Sequence, residues 1–275
     1  MRMARIIAVV GTLAAALGAA SSTAGYVAGG RTIWTIAGNG AACTDAMSDC
    51  GDGPSALDAW LSGPGGVAVA GDGTVFIADT QDHKIRRLTT SGAITTIAGT
   101  GEPCPLATAA CGDGGAGTLA QLSEPRGLAL TPGGTLLIAD SGDHRVRALG
   151  PDGVIRPFAG SGAACADPMT ACGDGGPAAG AELRAPAAVL ADPGGDVLVA
   201  DTGDRRVRRV RGGTITTLAG TGAACAVACG DGGPAGGAAF GAPSALALDA
   251  AGDLYVADAG AHSVRRITEI GRAHV

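Results

Sequence analysis

Four copies of one unit of about sixty residues fill most of this chain, and no other feature limits its possible folds so strongly. An apolar residue followed by Ala-Gly recurs at Ile36, Ile97, Phe158 and Leu218. Cys-Gly-Asp-Gly recurs at Cys50, Cys111, Cys172 and Cys229, and Ala-Asp closes on Asp79, Asp140, Asp201 and Asp258. An Arg preceded by Ile or Val keeps the same beat at Arg86, Arg147, Arg208 and Arg265.

Inside one unit the apolar period is that of strands. Gly66-Val67-Ala68-Val69-Ala70 is a short apolar run closed by the turn Gly71-Asp72-Gly73, and Thr74-Val75-Phe76-Ile77-Ala78 follows it. After a turn at Thr80 to His83, Lys84-Ile85-Arg86-Arg87-Leu88 and then Ala93-Ile94-Thr95-Thr96-Ile97 complete an antiparallel four-stranded meander. Such a sheet cannot bury both faces alone, so its copies must stack, and radial stacking gives an all-β propeller of four-stranded antiparallel blades. The composition agrees: 49 Gly and 14 Pro suit many tight turns, and with aromatics at only 3% the core must rest on Val, Ile, Leu and Ala.

The string from Ile97 to Arg147 (Ile-Ala-Gly-Thr-Gly, then Gly-Asp-Gly-Gly, Leu-x-x-Pro-x-Gly-Leu-Ala-Leu and Leu-Ile-Ala-Asp-Ser-Gly-Asp-His-Arg-Val-Arg) resembles the NHL repeat. It is similar to the long-loop version found in exported bacterial proteins and in the propeller of teneurins. The resemblance spans residues 32–268, in units of roughly 32–97, 98–158, 159–218 and 219–268. It implies propeller blades and macromolecule-binding surfaces, and an array of four units then reads as part of a six-bladed ring. One departure stands out: a Cys pair replaces the Gly and aromatic that usually precede Gly-Asp-Gly-Gly.

Those pairs are Cys43/Cys50, Cys104/Cys111, Cys165/Cys172 and Cys225/Cys229, each within one loop and each recurring with its own unit. In an exported chain they read as four local disulfides. Metal binding by the same residues fails on ligand supply, because two thiolates and no His per loop do not complete a tetrahedral site.

The N-terminus carries the marks of export. Arg2 and Arg5 precede an apolar stretch from Ile6 to Ala20, and Ser21-Ser22-Thr23-Ala24 offers a small-residue cleavage site, so residues 1–24 read as a signal peptide. The mature chain is then expected to be secreted or periplasmic, with no membrane span. At the other end, residues 269–275 leave the repeat pattern and read as a non-native tail. The net charge of −6 argues against a nucleic-acid surface, which would need clustered basic residues on an electropositive domain.

Successive strands alternate in direction, so the long Cys-Gly-Asp-Gly loops and the turns between second and third strands share one face. Glu102, Glu124, Arg126, Arg184, His83, His144 and His262 are therefore the candidate binding residues, for an extracellular protein or glycan. The histidines share one repeat position, occupied by Arg205 in the third unit, and are expected to hydrogen-bond within their turns. Asp79 and its equivalents are expected to tie the turn to neighbouring backbone amides, and the repeated Arg to pair with those Asp. The Asp of each Gly-Asp-Gly offers one carboxylate, too few oxygens for calcium.

No Ser-His-Asp or His-rich metal pattern emerges, so neither a catalytic residue nor a cofactor is assigned. The preferred reading is a non-catalytic binding or scaffold module. The alternative is a fragment of a propeller lactonase or lyase with a metal in its central channel.

Overall fold

The computed structural model describes residues 32–225 and 229–268, which form four β-sheets in succession. The signal peptide and the tail expected from the sequence lie outside these residues. The first sheet runs β1 (Pro64–Val69), β2 (Val75–Asp79), β3 (Lys84–Leu88) and β4 (Ile94–Ala98), each strand antiparallel to the next. The second repeats it with β5 (Pro125–Leu130), β6 (Leu136–Asp140), β7 (Arg145–Leu149) and β8 (Ile155–Ala159). The third holds β9 (Ala188–Ala191), β10 (Val197–Asp201), β11 (Arg206–Arg211) and β12 (Thr214–Ala219). The fourth stops at three strands, β13 (Pro243–Leu248), β14 (Leu254–Asp258) and β15 (Ser263–Ile267). This is the expected all-β propeller, one strand short among the described residues.

The blades pack face to face. Ala68, Ala78 and Ile85 of the first blade share one buried cluster with Leu128, Leu136 and Ile138 of the second. Leu137, Ala139 and Val146 meet Val189, Val197 and Val199 in the next, and Leu198 and Val207 meet Phe240, Leu254 and Val256 in the last. The second and third sheets thus bury their two faces on two different neighbours, as the repeat requires. The innermost strands β1, β5, β9 and β13 pack consecutively, with no comparable packing between β1 and β13. They approach so closely that a Cβ on Gly66 would lie 2.1 Å from the Arg126 carbonyl oxygen. Only Gly fits there.

Each blade's fourth strand continues into the long loop of the following blade. Gly99 N–H donates to Gly117 O at 3.0 Å, and Gly160 N–H to Ala178 O at 2.9 Å. The same link ties Gly38 to Ala56 at 2.8 Å, but the preceding residues Thr32–Ile36, which match the fourth-strand sequence, pair with no strand. All eight cysteines form the four local disulfides, with Cα separations of 5.5, 5.8, 5.9 and 5.8 Å.

Candidate functional site

The turn joining the second and third strands of each blade organises the long-loop face. In the first blade, Asp79 Oδ1 accepts the Ser62 N–H at 2.7 Å, fastening the loop that enters β1. Asp140 holds Ser123 and Asp201 holds Arg184 in the same way, and Asp258 takes the amides of Gly241 and Ala242. The other carboxylate oxygen meets the repeated Arg: Arg86 reaches Asp79 at 3.1 Å, Arg147 reaches Asp140 at 3.5 Å and Arg208 reaches Asp201 at 3.3 Å. The same guanidinium bonds the Asp of Gly-Asp-Gly, at 2.6 Å for Asp52, Asp113 and Asp174 and 2.5 Å for Asp231. These carboxylates anchor the long loop to the third strand. In the fourth blade Arg265 pairs with Asp231 rather than with Asp258.

Two repeated residues of this turn escaped the sequence reading. A second carboxyl, Asp82, Asp143 or Asp204, is buried three residues after the first, and burial raises its pKa. Two residues on, Lys84 reaches back to Ser48 O, Arg145 to Ala109 O and Asp113, and Arg206 to Pro168 O and Met169 O. Each of these blades therefore groups three carboxylates with two cations. Burial pushes the Asp79 carboxyl up to about 6, helped by the Asp82 charge and opposed by the Ser62 amide and Arg86. Burial first and the partner carboxylate second likewise raise Asp140 and Asp201. The sequence signal was present: Asp-x-x-Asp-x-(Lys/Arg) recurs three times, and the fourth unit has Ala261 and Ser263 instead.

The histidines correct one expectation. The His83 ring does not bond within its turn; its Nδ1 accepts the N–H of Glu124, in the second blade, at 3.1 Å. His144 takes the Ala185 N–H of the third blade at the same distance. Both imidazoles have pKa values lowered by burial. All four residues of this position adopt the left-handed conformation, with φ of 53° for His83, 55° for His144, 52° for Arg205 and 51° for His262. The turn aims the ring at the next blade.

Equivalent residues of the four innermost strands, Gly65, Arg126, Ala187 and Ser244, surround the mouth of the central channel. Together with Gly63, Thr80, Gln81, His83 and Glu124 they line a cavity of about 620 Å³. Arg126 Nη2 meets Glu124 Oε2 at 3.0 Å, and both side chains are about half exposed, at 51% and 54%. The structure thus brings His83, Glu124 and Arg126 together. Glu102 and Arg184 are exposed away from the mouth, His144 is half-buried at the next blade junction, and His262 lines a separate cavity beside β15. Two groups place acids near sulfur, Asp82 by Cys43 and Cys50 and Glu182 by Cys165 and Cys172, but these sulfurs are in disulfides and offer no thiolate.

Repeated blades with a turn Asp that fastens the loop entering the first strand, and a third-strand Arg that anchors the long loop, define an NHL-type propeller. The teneurin NHL domain profile matches residues 27–101 and 96–170, and the chain belongs to that family. It is 30% identical to mouse Teneurin-1 over 260 residues, 89% of this chain and 9% of that protein. It is 32% identical to Drosophila melanogaster Teneurin-m over 206 residues, 69% of this chain and 7% of that protein. The chain therefore spans less than a tenth of these relatives. Among solved structures, an auxiliary nutrient binding protein from Bacteroides ovatus aligns with TM-score 0.51 and 17% identity, covering 76% of this chain and 48% of that one. This shows a shared fold. Among the described residues no helix is long and apolar enough to cross a membrane.

Proposed function

We propose that this chain is a secreted, non-catalytic binding module whose extracellular protein or glycan partner docks on the long-loop face, around the channel mouth. The observation that carries this reading is the division of polar groups between structural and solvent-facing roles. The Asp and Arg of the turns are consumed in anchoring loops, whereas Glu124 and Arg126 stand half exposed at the rim of a 620 Å³ polar cavity. Such a rim offers a donor and an acceptor side by side to a carboxylate, amide or sugar hydroxyl. Four disulfides and the kinship with teneurins support a place outside the cytoplasm.

The test applies the labelled chain to a glycan array and to a display library of exported proteins. Glu124→Ala with Arg126→Ala should abolish the signal, while Asp152→Ala with Arg156→Ala, an exposed pair outside the mouth, should leave it intact. Equal binding by both variants would refute the docking face. The catalytic alternative lacks a donor set at the mouth: the channel-facing equivalents are Gly65, Arg126, Ala187 and Ser244, and the His83 Nδ1 already accepts a backbone proton. Stoichiometric bound metal together with lactone turnover would establish that alternative instead.

A further inference from the structure

The loop entering a first strand takes one of two conformations, and the facing residue of the preceding blade differs between them. Glu124 and Ala185, each followed by a proline, adopt the left-handed conformation, with φ of 47° and 46°. Each donates its N–H at 3.1 Å to a histidine of the preceding blade, Glu124 to Nδ1 of His83 and Ala185 to Nδ1 of His144. The third blade carries Arg205 at this position, and a guanidinium has no acceptor to offer. Arg205 donates instead to Gly222 O at 3.2 Å. The loop facing it has changed accordingly: Ala242 lies outside the left-handed region, and its N–H bonds Asp258 Oδ1 at 2.7 Å. A neutral imidazole thus accompanies the left-handed loop, and a cation accompanies the loop that falls back on its own turn Asp.

A protonated imidazole is also a cation. Nδ1 of His83 accepts the Glu124 amide only while the ring keeps its single hydrogen on Nε2. A second proton makes Nδ1 a donor and sets it against the Glu124 N–H. The His83 backbone has no room to retreat, since a Cβ on Gly99 would lie 2.1 Å from its carbonyl oxygen. Glu124 is the side that yields, because a left-handed residue with a side chain persists only while its surroundings hold it there. Its amide has a second acceptor close by. Asp140 Oδ1 already takes the Ser123 N–H at 2.7 Å, and in the fourth blade Asp258 takes the amides of both Gly241 and Ala242. The charged groups around His83 are Asp79, Asp82 and Lys84 of its own turn and strand, and Glu124 and Arg126 of the second blade. Burial lowers the His83 pKa, and the Glu124 charge opposes that shift.

We propose that protonation of His83 switches the channel mouth: the Glu124 N–H passes to Asp140, the loop takes the form seen at Ala242, and the Glu124 carboxylate leaves Arg126. This regulation rests on the docking reading above, because the acid and base it separates are the half-exposed pair of the rim. A partner held by both side chains is released as its surroundings become mildly acidic. His144 works the same exchange on Ala185, whose turn Asp is Asp201, and so supplies a second copy of the switch in which the moving residue has no carboxylate.

Amide proton–nitrogen spectra of the isotope-labelled chain between about pH 7.5 and about pH 5 follow the switch without any partner. The Glu124 and Ala185 resonances should move with the midpoints of the His83 and His144 ring signals. His83→Asn keeps an acceptor that does not titrate, on a residue that tolerates the left-handed backbone, so its Glu124 amide should stay at the neutral position. His83→Arg, the residue the third blade already holds in this conformation with φ of 52°, should put that amide at its acid position at neutral pH. Wild-type amides that do not move would overturn the switch, and so would a Glu124 amide that moves equally in His83→Asn. Any array partner is then washed at about pH 5.5, where the wild type should lose about tenfold of its signal and His83→Asn less than about twofold. Equal retention by the two chains would overturn the regulation of binding. An array silent at both pH values would refute the docking reading instead, and the Glu124 amide would still decide the switch.

Discussion

The second and fourth blades are two versions of one design, and their difference separates what anchors a loop from what joins blades. In the second, Arg147 is fully buried between Asp113 and Asp140 and also donates to the Gln121 and Cys111 carbonyls. Arg145 joins Arg147 on Asp113, and Asp143 is buried alongside them. In the fourth, Arg265 keeps the Gly-Asp-Gly contact, stacks 4.8 Å from the Phe240 ring centroid and bonds the Ala239 and Cys229 carbonyls. The Asp231 side chain is 55% exposed, and Ala261 and Ser263 replace the second acid and second cation. The blade with a neighbour on both sides buries this charge set; the fourth leaves Asp231 wet while Asp258 stays buried on the Gly241 and Ala242 amides.

The sharpest way to break this comparison is to remove each Arg. Arg147→Ala strands buried carboxylates without a cation and should cost about 3–5 kcal/mol. Arg265→Ala leaves Asp231 in contact with water and should cost about 1 kcal/mol, mostly through lost packing on Phe240. Urea denaturation followed by circular dichroism gives both values. Equal losses would show that burial of the charge set is not what distinguishes the two blades.

The next effect is in pH. The folded chain holds the Asp79 proton up to about pH 6, whereas an unfolded Asp releases it near pH 4. A raised carboxyl pKa gives stability that is full below the unfolded value and is lost as pH climbs through the folded one. His83 and His144, with lowered pKa values, act in the opposite sense below their unfolded value of about 6.5. Replacing Asp82, Asp143 and Asp204 together by Asn supplies a permanent donor to each partner carboxylate and leaves the histidines untouched. Relative to the wild type, the triple variant should gain on the order of 2 kcal/mol between pH 4 and pH 7.5. Thermal melts of both proteins at the two pH values measure it, and parallel pH profiles would show that the second acid does not raise the pKa of the first.

The strands were legible from the sequence because their signal is local: alternation and turn residues place β1 to β4 within a residue or two of where they fall. The Cys pairs and the pairing of Arg86, Arg147 and Arg208 with the turn Asp were legible because repetition shows which residues travel together. Contacts between blades were not. His83 accepts from Glu124, 41 residues away, and within the unit nothing distinguishes that donor from one in its own turn. Asp82 escaped the sequence reading because nothing in the turn marks it as buried; only the packing shows that it is. The channel mouth was half visible, since Glu124, Arg126 and His83 were singled out, but only the packing of four equivalent positions separates them from Glu102 and Arg184.

The smallest effect tests how one blade latches to the next. Thr80 Oγ1 donates to Pro125 O at 2.7 Å, Ser141 Oγ to Pro186 O at 2.5 Å and Thr202 Oγ1 to Pro243 O at 2.6 Å, each crossing to the following blade. The fourth blade carries Ala259 at this position. Ser141→Ala leaves a buried carbonyl without its donor and should cost about 1 kcal/mol in denaturant titrations. Ala259→Ser adds a hydroxyl for which the described residues hold no following blade as acceptor, and should change stability by less than about 0.5 kcal/mol. A gain in monomer stability instead would mean that the hydroxyl finds its partner within its own chain and that the latch is not specific to blade junctions.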